Sequence, residues 1–110
     1  MTDKIVVFST CSSESEADRL ARRLVESRLA ACVNIVPRVR SVYRWQGEVE
    51  QAEESLLVIK SSRALFAELR RELTEAHSYE LPEVLAVPIA DGSGAYLEWI
   101  GQNLRSVTEE

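Results

Sequence analysis

The sequence predicts an α+β sandwich, two helices lying on one face of a four-stranded antiparallel sheet, on three observations. Short apolar, β-branched runs alternate with amphipathic stretches in the order β-α-β-β-α-β. A Gln46-Gly47 pair stands between the two longest extended runs, where glycine can take a positive φ and reverse the chain. The strands in residues 4–8 and 84–87 are apolar almost without alternation, so both faces of the sheet expect a cover.

Each element has its own reason. Residues 4–8 are β-branched and aromatic, and the small polar residues of 9–13 follow as a turn. Ser13 with Glu16 has the spacing of a capping box, so a helix starts there. Ala17, Leu20, Ala21, Leu24 and Val25 recur at helical spacing and form its buried stripe. Residues 31–36 return to a strand pattern, which Pro37 is expected to bend. Residues 38–45 and 48–60 then make a long hairpin around Gln46-Gly47, with Tyr43 facing Glu50 and Arg40 facing Glu53. Leu65, Phe66, Leu69, Leu73 and Ala76 mark a second helix with His77 at its C-terminal end. A connector at 79–82 leads to a strand at 84–87 and Ile89, predicted to be buried. After the Asp91-Gly92-Ser93-Gly94 loop, Tyr96, Leu97, Ile100 and Leu104 predict a terminal helix that ends before Thr108-Glu109-Glu110, where fraying is expected.

The order matches the ferredoxin-like split βαβ plan, in which two right-handed crossovers put both long helices on one side. The second sheet face and the long hairpin, about 12 residues at roughly 3.3 Å each, then point to another subunit as their cover. At 110 residues the chain is expected to form one domain, residues 1–110. A formal charge of −5 argues against nucleic acid and anionic membrane as partners. The N-terminal apolar run is too short for a signal or a span, and Cys11 and Cys32 form no C-x-x-C pair, so reduced thiols in the cytoplasm are expected.

Three segments carry a resemblance: Leu29-Ala30-Ala31-Cys32-Val33-Asn34, Tyr43-Arg44-Trp45-Gln46-Gly47 and Tyr79-Glu80-Leu81-Pro82-Glu83. In type, order and spacing they are similar to motifs of the CutA divalent-cation tolerance family, and the likeness runs from Val6 to Leu104. The resemblance implies a ferredoxin-like homotrimer whose hairpins reach around neighbouring subunits, similar in architecture to PII signalling proteins and linked to copper tolerance. It departs from that pattern at two positions. The family often has proline where this chain has Ser78, and some bacterial members carry cysteine where it has Ser9.

Two groups of residues are candidates for chemistry. The resemblance connects Cys32 and His77 to metal, and thiolate suits Cu(I) while imidazole suits Cu(II), so copper is the expected metal. His77, following a helix end, is expected to expose a ring nitrogen; Cys32 sits in an apolar strand, where cysteine usually behaves as a small hydrophobe, and that reading is preferred. The resemblance also brings Tyr43, Trp45, Glu54, Lys60, Tyr79 and Glu83 towards an inter-subunit cleft. There they either bind a small ligand or anchor the hairpin on a neighbour, with Lys60 paired to a carboxylate. No nucleophile-base pair, H-E-x-x-H or P-loop pattern occurs, which argues against an enzyme. Glu16, Glu26, Glu53 and Glu72 read as solvated charges. The expected function is a trimeric cytoplasmic protein of copper tolerance. The alternative is a PII-like sensor or scaffold holding a small anion or a protein in its cleft.

Overall fold

Strict alternation along the first strand separates two layers. A computed structural model of the chain describes residues 2–107; the expected fraying at Thr108-Glu109-Glu110 lies outside them. In β1 (Lys4–Cys11), Ile5, Val7, Ser9 and Cys11 are buried, while Lys4, Val6, Phe8 and Thr10 on the other face are only half covered. The strand runs three residues past its apolar stretch because Ser9, Thr10 and Cys11 continue the antiparallel ladder, opposite Leu57, Leu56 and Ser55.

Helix α1 (Glu14–Glu26) begins at Ser13, whose Oγ accepts the Glu16 N–H at 3.1 Å. Its stripe of Ala17, Leu20, Ala21 and Leu24 is buried as expected, but Val25 lies one step off the stripe and is exposed. The chain then forms β2 (Cys32–Trp45) and β3 (Glu48–Ser62), joined at Gln46 and Gly47. Both turn residues have positive φ, 51° and 83°, the twist that suits a two-residue hairpin. The register places Tyr43 opposite Glu50 and Arg40 opposite Glu53, as the turn predicts. Pro37 and Arg38 together face one residue of β3, a bulge with Arg38 at φ 58°.

A 3₁₀ turn (Arg63–Leu65) leads into α2 (Phe66–Ala76), then β4 (Leu85–Pro88) and α3 (Gly94–Gln102). The sheet order is β2-β3-β1-β4, all antiparallel, which is the split βαβ arrangement. Leu20 and Leu24 of α1, with Leu69 and Leu73 of α2, close over Ile5, Val7, Leu57 and Ile59. The prediction for β4 is corrected: it is an edge strand, with Leu85 58% and Val87 48% exposed. An apolar run has no periodicity to say whether its neighbours are present, and within this chain β4 has only β1 beside it.

The open face carries Val6 and Phe8 of β1 beside Val87 and Leu85 of β4, with Lys60 and Val58 of β3 on the other side. Helix α3 covers one end of it through buried Ile100 and the contact of Gly101 with the Lys4 side chain. Beyond Ser55 the β1 ladder stops, so residues 39–54 continue as a two-stranded arm.

Candidate functional site

The arm faces the connector that follows α2, and between them lies a groove of about 530 Å³, lined from Glu54 at the arm's root to Trp45 beside its turn. Tyr43 and Trp45 stand on the arm wall, Tyr79 and Glu83 on the connector wall, and Glu54 with Thr10 at the base. Five of the six residues predicted to share a cleft are therefore together within one chain. The sixth is not: Lys60 pairs with Val6 and Cys32 in the sheet, and its Nζ contacts Asn34 Oδ1 and lies 3.9 Å from Cys32 Sγ. The carboxylate partner expected for Lys60 is replaced by that amide. Glu80 and Leu81 also line the groove, although no sequence periodicity singles them out.

A buried carboxylate holds the connector in place. Glu16 is 7% exposed, which corrects its reading as a solvated charge. Its Oε1 accepts from Ser12 N–H and from the Ser12 and Ser78 hydroxyls, and its Oε2 accepts the Ser78 N–H at 2.8 Å. Burial works against its ionisation, but the Ser78 and Ser12 donors outweigh it and lower the pKa from 4.5 to about 2. The S-x-x-E spacing predicts a back-bond to the N–H of the cap, Ser13, whereas Glu16 takes the N–H of Ser12, one residue earlier. The bond to Ser78, 62 residues away, was not legible in that spacing. Ser78 occupies the place where proline would have no N–H to give, so this chain fixes by hydrogen bonds what a ring would fix by geometry.

His77 continues the same lock. Its side chain is fully buried, its Nε2 donates to the Thr10 carbonyl at 2.8 Å, and its Nδ1 accepts the Tyr79 N–H at 3.0 Å. Those two partners require the neutral Nε2–H tautomer. The exposed ring nitrogen expected from sequence is thus corrected: the helix ends at His77, but the ring turns inward under β1. Tyr79 in turn donates its hydroxyl to Glu54 Oε2 at 2.7 Å. Burial, and then Glu54, push the Tyr79 phenol well above its ordinary value, so it stays a donor.

Cys32 lies on the open face, level with Val6 through Lys60, whereas His77 sits at Thr10. Four residues of strand, roughly 13 Å, separate these levels. Within one chain the pair cannot share an ion. Among the described residues no three or more of His, Cys, Asp and Glu converge as metal ligands. Among the described residues, a single chain therefore offers no donor set that fits a metal.

A family model described as CutA1 divalent ion tolerance protein matches residues 5–103. The chain belongs to the CutA family. The divalent-cation tolerance protein CutA of Thermus thermophilus is 48% identical over 98 residues, covering 89% of this chain and 95% of that protein. The human protein CutA is 41% identical over 102 residues, 93% of this chain and 57% of the human sequence. Among solved structures, CutA1 from Oryza sativa superposes with a TM-score of 0.93 at 40% identity, over 96% of this chain and 97% of that one. The rice structure shares the four-stranded α+β architecture, and the family description and the Thermus protein's name tie the family to divalent-cation tolerance. No helix among the described residues is long and apolar enough to cross a membrane.

Proposed function

We propose that this CutA-family chain works as a homotrimeric, non-enzymatic binding protein of the cytoplasm, with the groove between the arm and the connector as its ligand site. The observation that carries the reading is the groove itself: two separate segments, the arm and the connector, bring aromatic rings and carboxylates to one concave site. Trimer assembly is supported by the unpartnered face, where Leu85 and Val87 lie beside half-covered Val6 and Phe8, and by an arm with no third strand. Cys11 faces the helices and Cys32 the opposite side of the sheet; two unpaired thiols suit a reducing compartment.

Copper tolerance follows from the family and from the ligand types of His77 and Cys32. A single chain brings neither residue into a ligand set, so a copper site needs donors from more than one subunit. The sensor reading keeps support where it concerns a small ligand. Its anionic version does not, because Glu54, Glu80 and Glu83 line the groove.

Native mass spectrometry of protein purified from its own cytoplasm without chelators tests assembly and ligand together. The expected species is three chains with retained small-molecule or metal mass. A concentration-independent monomer refutes the assembly, and a trimer of bare chain mass refutes the binding role.

A further inference from the structure

The geometry points to an organic cation, an alkylammonium or guanidinium compound free in solution, as the ligand of the groove. This rests on the groove being the ligand site, and it adds the chemistry of what fills it. Three carboxylates, Glu54, Glu80 and Glu83, line the groove, and none of its lining residues is Lys, Arg or His. Tyr79 adds a neutral hydroxyl already given to Glu54, so the site carries negative charge with no internal counter-ion. An anion would meet like charge from Glu54, Glu80 and Glu83 and no positive partner among the lining residues.

The aromatic residues separate an organic cation from a metal ion. In the isolated chain Tyr43 and Trp45 are 43% and 48% exposed, large apolar surfaces on the same wall of the groove, while Leu81 adds an aliphatic contact from the connector. Aromatic faces attract cations that present carbon and N–H surface, and a carboxylate nearby supplies the charge partner. A bare divalent ion instead needs several converging donors within bonding reach, and no such group exists among the described residues. Size favours a small molecule over a protein. A groove of about 530 Å³ falls in the range of small-molecule sites, roughly 300–1,000 Å³. A stable protein interface needs about 800 Å² from each partner.

Two features make the site preformed on its connector side. The Glu16 bonds to Ser78 and the His77 bonds to Thr10 and Tyr79 fix the residues immediately before Glu80, Leu81 and Glu83. A ligand arriving there would order the arm wall only, which lessens the entropic cost of binding.

The test is calorimetric titration of the purified full chain with tetramethylammonium, spermidine and arginine amide as chlorides, beside sodium succinate and copper(II) sulfate. Light scattering is run on the same samples. Saturable uptake of at least one organic cation is expected, with no uptake of succinate. Trp45→Ala and Glu83→Gln should each weaken it by about tenfold, as expected for losing a cation–π face or one carboxylate. Trp45→Phe, which keeps a ring, should recover most of the affinity. Circular dichroism confirms that the variants remain folded. No organic-cation uptake up to about 10 mM, a range that reaches beyond millimolar Kd, overturns the assignment while an intact trimer leaves the assembly standing. So does uptake that Trp45→Ala and Glu83→Gln leave unchanged, or copper uptake alone that Glu83→Gln abolishes. A monomer that binds the cation refutes the trimer and keeps the ligand.

Discussion

The two faces of the sheet come from one alternating pattern and end in opposite states. On the helix side Ile5, Val7, Leu57 and Ile59 are closed by Leu20, Leu24, Leu69 and Leu73. On the other side Phe8 is half covered and Leu85 and Val87 stand open, with only α3 over one end. The chain supplies its own cover for the first face and none for most of the second. Folding stability therefore resides on the helix side, and the proposed assembly would draw on the open side, so substitutions on the two faces should separate in what they change.

The largest effect belongs to the closed face. Leu57→Ala removes a fully buried side chain from the middle of β3 and should cost about 2–5 kcal/mol, read as a lowered urea midpoint at fixed protein concentration. A loss under 1 kcal/mol would mean that the helices do not hold this face shut.

Next comes the lock that joins the closed face to the groove. Glu16→Gln keeps the shape but removes the charge that Ser12 and Ser78 donors face, and should cost about 1.5–3 kcal/mol at neutral pH, as expected for hydrogen bonds to a charged group. The folded-state pKa of Glu16 is depressed from 4.5 to about 2. Its contribution is thus fully present above the unfolded value and disappears as pH falls through that window. Wild type and variant should converge in stability between about pH 4.5 and pH 2. Curves that stay parallel through the window would show that the buried carboxylate is not the source.

The smallest change in folding is expected on the open face. Leu85→Ser should alter chain stability, compared at concentrations where both proteins are monomeric, by less than about 0.5 kcal/mol. It should nevertheless shift sedimentation profiles towards smaller species. An unchanged oligomer distribution would move the interface away from β4.

Much of this architecture can be read locally. The Ser13 cap, the Gln46-Gly47 turn and the Tyr43–Glu50 register follow from interactions within a few residues or across one turn, and the structure has all three. The errors share a different origin. β4 was expected to be buried because an apolar run looks the same in a central and in an edge strand. Glu16 was expected in solvent because its partner Ser78 is distant in sequence, and His77 was expected to project because a helix end does not state where the next residue turns. In the groove, Tyr43, Trp45, Glu54, Tyr79 and Glu83 came as a set from the family resemblance, whereas Lys60 lies on the same face as Glu54 but six residues further along β3, beside Asn34 and Cys32.

Sequence alone determined the element order, the α+β plan and the hairpin register, because periodicity, capping and turn chemistry act between near neighbours; the family came separately, from the resemblance of three motif segments. Tertiary structure alone decided that Glu16 is a buried lock, that His77 spends both ring nitrogens on the backbone, and that the arm and connector enclose an acidic, aromatic groove. Those outcomes depend on segments that meet only after the chain has folded, where burial and hydrogen-bond partners set the charge and accessibility of each side chain.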